Sequence, residues 1–139
     1  MRAGILSDRR VGRSRLLRAA DSPLARPLGE LLLLGYGPKQ LSEAALQGID
    51  GIDHAYLAGS WAARYLGDNG AFPHDIDVVV VGSPDRDDVT ETLVDAMRQI
   101  GQDVQVVFRS SASWREGRDV FTRTVKAGPL VELELTEQT

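Results

Sequence analysis

Cysteine is absent from the 139-residue chain. That excludes disulfides, thiolate zinc sites and cysteine nucleophiles, and it fits a cytoplasmic protein. Histidine occurs only at His54 and His74, with no His-rich spacing around either that would suit a metal. Long apolar runs are also missing. The strongest are Leu31–Leu34 and Val78–Val81, far too short to cross a bilayer, so no membrane partner is expected. No apolar stretch follows the first arginines, which argues against a secretory signal. Neither a Ser–His–Asp pattern nor a Gly-Lys-Ser/Thr phosphate loop occurs, and no segment repeats or is of low complexity.

What is present suits one globular domain with an appendage. The chain is 42% hydrophobic and 26% charged, enough to bury one core. Its net charge is −4, unevenly spread. Residues 1–18 hold Arg2, Arg9, Arg10, Arg13, Arg15 and Arg18 against Asp8 alone, while the remainder is strongly acidic. A basic arm on an acidic body points to an anionic partner for the arm, or else to a solvated tail.

Residues 4–17 read as a short basic hairpin with Asp8 near its turn and Gly12 interrupting the returning strand. Asp21–Ser22–Pro23 is a helix start, and the helical stretch from Pro27 to Leu34 ends at Gly35, Gly37 and Pro38. Lys39–Leu46 reads as a second helix. From residue 52 strands and helices alternate. His54–Ala58 is a strand, Gly59–Ser60 a turn, Trp61–Leu66 a helix, and Gly67–Pro73 a loop. Ile76–Val81 is a β-branched strand bounded by Gly82–Ser83–Pro84. Pro84 opens a helix with Asp85, Asp87 and Asp88 at its positive end and Val89, Leu93, Met97 and Ile100 on one face. Val104–Phe108 is a strand, Ser113–Lys126 a helix in two pieces broken near Gly117, and Leu130–Leu135 a closing strand. The fold class expected is α+β (α/β-like): a small mixed sheet with helices packed on it, preceded by a short basic hairpin and two helices. The organisation is a basic arm over 1–20, a helical linker over 21–49 and the sheet-bearing domain over 50–136.

One ordered composite carries chemistry. Leu57–Ala58–Gly59–Ser60 joins a strand to a helix, and Asp75–Ile76–Asp77 opens the next strand. Alternation along that strand points both carboxylates to one face and Ile76 to the other. Two adjacent like charges raise each other's pKa and favour a cation between them. All-oxygen ligation selects Mg²⁺ or Mn²⁺ over zinc. A glycine between strand and helix lets backbone amides approach a ligand closely, and a helix start favours a phosphate. Arg64 lies one turn further on, as a nucleotide-binding cation or a partner for an exposed acid. Trp61 and Trp114 read as packing residues, with Trp61 also placed to line a base pocket.

Leu57–Ala58–Gly59–Ser60 with Asp75–Ile76–Asp77 resembles the signature of the polymerase-beta-like nucleotidyltransferase superfamily in its minimal bacterial form, over about residues 50–135. The resemblance implies a mixed sheet with flanking helices, an NTP donor and Mg²⁺ (or Mn²⁺). It implies that Gly59 and Ser60 hold the triphosphate and that Asp75 and Asp77, as catalytic residues, hold the metal. Many active relatives carry a third carboxylate on a later strand. The matching place is held by Gln105, a neutral amide that is a poor metal ligand and cannot act as a base. Asp103 has the same facing but lies one strand pair earlier.

A second, looser resemblance covers Arg9–Ala19 followed by Ser22–Pro23–Leu24. This stretch looks like the wing and trailing linker of the ArsR-like winged helix found fused to such nucleotidyltransferase domains in bacteria. It implies a chain that starts inside the wing and a weak contact with DNA phosphates through the N-terminal arginines. Three functions follow as expectations. The first is an enzyme transferring a nucleoside monophosphate from an NTP to an unknown acceptor, such as a protein or RNA. The second is a catalytically impaired nucleotide- or partner-binding module, as in a toxin–antitoxin-like system. The third is the effector module of a DNA-binding transcriptional regulator.

Overall fold

The computed structural model describes residues 6–11, 14–19, 28, 36–68 and 73–136. The chain divides into two compact units, Met1–Gly37 and Pro38–Thr139. The expected helix between Asp21 and Leu34 lies outside the described residues apart from Leu28.

The first unit contains a two-stranded antiparallel hairpin, β1 (Leu6–Val11) and β2 (Ser14–Ala19). Val11 stands opposite Ser14, so the chain reverses between them, and Asp8 lies within β1 opposite Leu17. The expected turn near Asp8 is thus corrected. Asp8 stands inside the strand, three residues before the last pair, Val11 with Ser14, and the expected interruption at Gly12 lies outside the described residues.

The second unit begins with α1 (Pro38–Leu46). Proline suits a first helical position because its missing N–H would have no partner there. Pro38, Ser42 and Leu46 are buried at i+4 spacing, and α1 packs on the later helix α3 (Arg86–Arg98). The chain then runs β3 (Ile52–Ala58), α2 (Gly59–Tyr65), β4 (Asp75–Gly82), α3, β5 (Asp103–Arg109), α4 (Ser111–Glu116), α5 (Val120–Ala127) and β6 (Leu130–Glu132). The four strands form one mixed sheet in the order β5-β4-β3-β6. β3 is antiparallel to β4 and β6, and β4 is parallel to β5. The structure is mixed α and β, as the alternating pattern requires.

β4 is one of the two inner strands, and its apolar residues pack both faces. Ile76, Val78 and Val80 bury one face with Ala55 and Leu57 of β3. Helices α1 to α3 supply the buried apolar residues Leu46, Trp61, Ala62, Val89, Leu93 and Met97. On the second face Ala58, Val79 and Val81 pack with Trp114, Tyr56, Phe121, Val125 and Leu130, under α4 and α5. Burying both faces explains a strand that reads as a continuous valine run.

Most elements run a residue or two beyond their expected bounds, and four differences change a reading. The helix after β3 starts at Gly59 itself, with Ala58 as its N-cap, so Gly59–Ser60 is not a separate turn. Asp85 is the N-cap of α3 and accepts from the Asp88 amide at 3.0 Å, so α3 opens at Arg86 rather than at Pro84. Ile100 lies past the end of α3 and is 38% exposed, so it leaves the apolar face. β6 ends at Glu132, although the Leu133 amide still donates to the Ala55 carbonyl at 2.8 Å. The break near Gly117 is where expected: Gly117 caps α4 in the left-handed conformation. Among the described residues no helix is long and apolar enough to cross a membrane.

Candidate functional site

The register of β3 against β4 builds the site. Ala58, the last residue of β3, stands opposite Asp77. The chain then turns directly into α2, so Gly59 is carried over the Asp77 side chain. A Cβ added at Gly59 would lie 2.6 Å from Asp77 Oδ2, and Gly59 has φ +63°. Two constraints therefore meet at one residue: a left-handed backbone that disfavours side chains, and a carboxylate that leaves no space for one.

Burial along β4 follows the expected alternation. Asp75 is exposed, Ile76 is buried and Asp77 is half-buried. The two carboxylates lie on the face opposite Ile76. Desolvation raises the pKa of Asp77, and the negative charge of Asp75 raises it further. Both shifts express one cost, a second negative charge held beside the first in a partly dry place. Ser60 is exposed at the start of α2, and Arg64 is half-buried one turn further along it. With seven residues, α2 has a weak dipole. The glycine approach matters more here than the helix end.

β5 sets the neighbouring row. Asp103 stands opposite Asp75, and Gln105 stands opposite Asp77. The position where a third carboxylate would join the pair is thus an amide. Among the described residues no group of three or more His, Asp or Glu side chains is gathered to hold a metal ion. Two carboxylates and the Gly59 backbone make up the site.

The other residues singled out in the sequence take these places. Trp61 is 2% exposed and its Nε1 donates to Gln102 at 3.3 Å, so it packs the core and does not line an open pocket. Trp114 stacks on Tyr56 at 5.1 Å and carries Lys126 over its ring. His54 pairs with Glu132 at 2.9 Å, and His74 is exposed next to Asp75.

Sequence reasoning did not find a cavity of about 1020 Å³ at the other end of β3 and β4, lined by Asp50, Asp53, Tyr56, Ser111, Trp114 and Lys126 among others. Two hydrogen bonds tie its walls together. Ser111 donates to Asp53, and Lys126 donates to the Trp114 carbonyl. Asp53 and Ser111 are 58 residues apart, and no local signal in the chain links them. Compared with known proteins, the chain matches no family profile and no curated sequence.

Proposed function

We propose that this chain binds a magnesium–nucleoside triphosphate complex at the corner formed by Gly59, Ser60, Asp75 and Asp77, as a minimal nucleotidyltransferase-type domain. One observation carries the reading: the Gly59 backbone presses so closely on Asp77 that no side chain fits between them. A strand-to-helix junction set against a carboxylate pair suits a ligand that is both phosphate and metal.

The donor set fits Mg²⁺ or Mn²⁺. The ligands are oxygens only, and Mg²⁺ typically takes one or two carboxylates, several waters and substrate phosphates. Asp75 and Asp77 would hold the ion, which when bound neutralises phosphate charge and polarises the phosphoryl group. The raised pKa of Asp77 is the mark of a pair that a cation would relieve. Gly59 and Ser60 offer backbone amides and a hydroxyl to the phosphates, and Arg64 supplies positive charge one turn away.

Gln105 shapes the activity. Opposite Asp77 it can hydrogen-bond an acceptor but cannot take its proton. Losing a general base typically removes about 10²–10⁴-fold of rate. Transfer of a nucleoside monophosphate to a protein or RNA acceptor is therefore slow. The same residue favours a second reading, a nucleotide- or partner-binding module of a transcriptional regulator or a toxin–antitoxin-like pair. In that setting the β1–β2 hairpin, where Arg10 stands opposite Arg15, is suited to DNA phosphates. A cytoplasmic location belongs to the same proposal.

Titration calorimetry with ATP and Mg²⁺ tests binding. The native chain should bind, and Asp77→Asn should weaken it. Incubation with labelled NTPs and cellular protein or RNA tests transfer. If neither nucleotide nor metal binds, the site assignment fails.

A further inference from the structure

Among the described residues the sheet ends on one side at β5, which is bonded to β4 only. Its sequence is Asp103–Val104–Gln105–Val106–Val107–Phe108–Arg109. Sheet edges are normally blunted by proline, charged side chains (lysine above all), a bulge or a very short strand, and the charges of this edge, Asp103 and Arg109, stand at its two ends. This seven-residue edge has no proline and no lysine, and its pairing with β4 runs without the register shift seen in β3. Its four central and C-terminal apolar residues, Val104, Val106, Val107 and Phe108, are all only partly buried.

The strand is also complementary to itself. Laid antiparallel on a second copy with Val106 opposite Val106, Asp103 faces Arg109, Val104 faces Phe108 and Gln105 faces Val107. The ends carry opposite charges, and the apolar row pairs a β-branched residue with an aromatic one, which is a favourable cross-strand combination. Alternation is respected, since each pair joins residues of the same face. A shift of two residues in either direction loses the Asp103–Arg109 match. Arg109 is turned toward its own Asp119 at 3.4 Å and donates to the Phe108 carbonyl at 2.8 Å. Asp119 and the Phe121 ring, 4.6 Å from the guanidinium, fix Arg109 at the strand end, where Asp103 of a second copy would share it with Asp119.

We propose that β5 is a homodimer interface, in which two copies pair antiparallel about Val106 to give one eight-stranded sheet, β6-β3-β4-β5-β5-β4-β3-β6. The occupant of the edge is a second copy of this chain. The interface is isologous, as a two-fold requires. It rests on strand pairing with little added surface, so the dimer is of the weak, concentration-dependent kind. Because Asp103 stands opposite Asp75, each copy brings its Arg109 close to the acidic corner of the other.

Sedimentation equilibrium of the full chain over about a hundredfold concentration range tests this, together with amide exchange at low and high concentration. A monomer–dimer equilibrium is expected, with β5 amides exchanging more slowly as concentration rises. Asp103→Arg, at an exposed position, sets two positive charges opposite each other and should weaken the dimer at least tenfold. Val106→Lys places two lysines at the two-fold and should abolish it, with far-UV circular dichroism confirming that the fold is kept. The proposal is overturned by a monomer at every concentration. It is equally overturned by a dimer that survives both variants, or by one whose exchange protection falls outside β5.

Discussion

Replacing Gly59 by alanine separates backbone strain from ligand displacement, because the fold supplies a matched control. Gly59 has φ +63°, and Gly101, just after α3, has φ +65° with no atom of the described residues within 4 Å of where a Cβ would stand. Alanine in the left-handed region costs about 1–2 kcal/mol at either position. For a unit of this size each kcal/mol lowers Tm by roughly 4–8 °C, so the two variants should melt at similar, reduced temperatures. The difference lies at Asp77. Its Oδ2 would be 2.6 Å from the new methyl, and ordinary contact begins at 3.4 Å, so the carboxylate must retreat by roughly 0.8 Å. Half-exposed, it can turn aside at little further cost in stability. The ligand cannot follow as easily, because Mg²⁺ demands near-ideal geometry at about 2.0–2.1 Å. Calorimetry should show Mg–ATP binding weakened at least about tenfold in Gly59→Ala, equivalent to about 1.4 kcal/mol, and unchanged in Gly101→Ala. Equal melting temperatures with equal, native-like binding in both variants would refute the reasoning.

Ser42 is fully buried on α1 and its hydroxyl has no hydrogen-bond partner among the described residues, so Ser42→Ala should leave Tm unchanged or raise it, by up to about 1 kcal/mol of stability in denaturant titrations. Asp119 caps α5, accepting from the Thr122 hydroxyl at 2.6 Å and amide at 2.9 Å, and these bonds with the nearby Arg109 hold its pKa down to about 2. A depressed carboxylate stabilises above its unfolded pKa of about 3.9 and loses that contribution as pH falls toward 2, so the native Tm should drop more steeply than that of Asp119→Asn between about pH 5 and 2. Gln105→Asp would place a third carboxylate opposite Asp77. Without metal it should melt lower than native, and with Mg²⁺ and NTP its turnover should rise, as read by nucleotide release.

Much of this fold is legible locally. The valine run of β4 announces a strand buried on both faces, and the alternation Asp75–Ile76–Asp77 fixes which side chains share a face. The spacing of Val89, Leu93 and Met97 gives the buried stripe of α3. Ile100 fits the same period but lies beyond the helix end, which periodicity alone does not mark. The contact between Gly59 and Asp77 depends on the pairing of Ala58 with Asp77 across two strands, and no window of sequence contains that register. The same holds for Gln105 against Asp77, where the sequence indicates the residue and only the parallel pairing supplies its neighbour. β3 starts earlier than its apolar pattern, with Ile52 pairing Gly82 beyond a register shift that no local pattern marks. The Asp53–Ser111 bond is a product of tertiary packing without any local trace.

The central claim is that a metal–nucleotide complex sits at the Gly59–Asp77 corner. Paramagnetic broadening of amide resonances by Mn²⁺ in the presence of ATP locates it directly. The account predicts selective loss of signals from residues 58–60, 75–77 and 103–105, with those of Asp50 to His54 at the distant cavity retained. Broadening centred on that cavity, or spread evenly over the acidic surface, would contradict it.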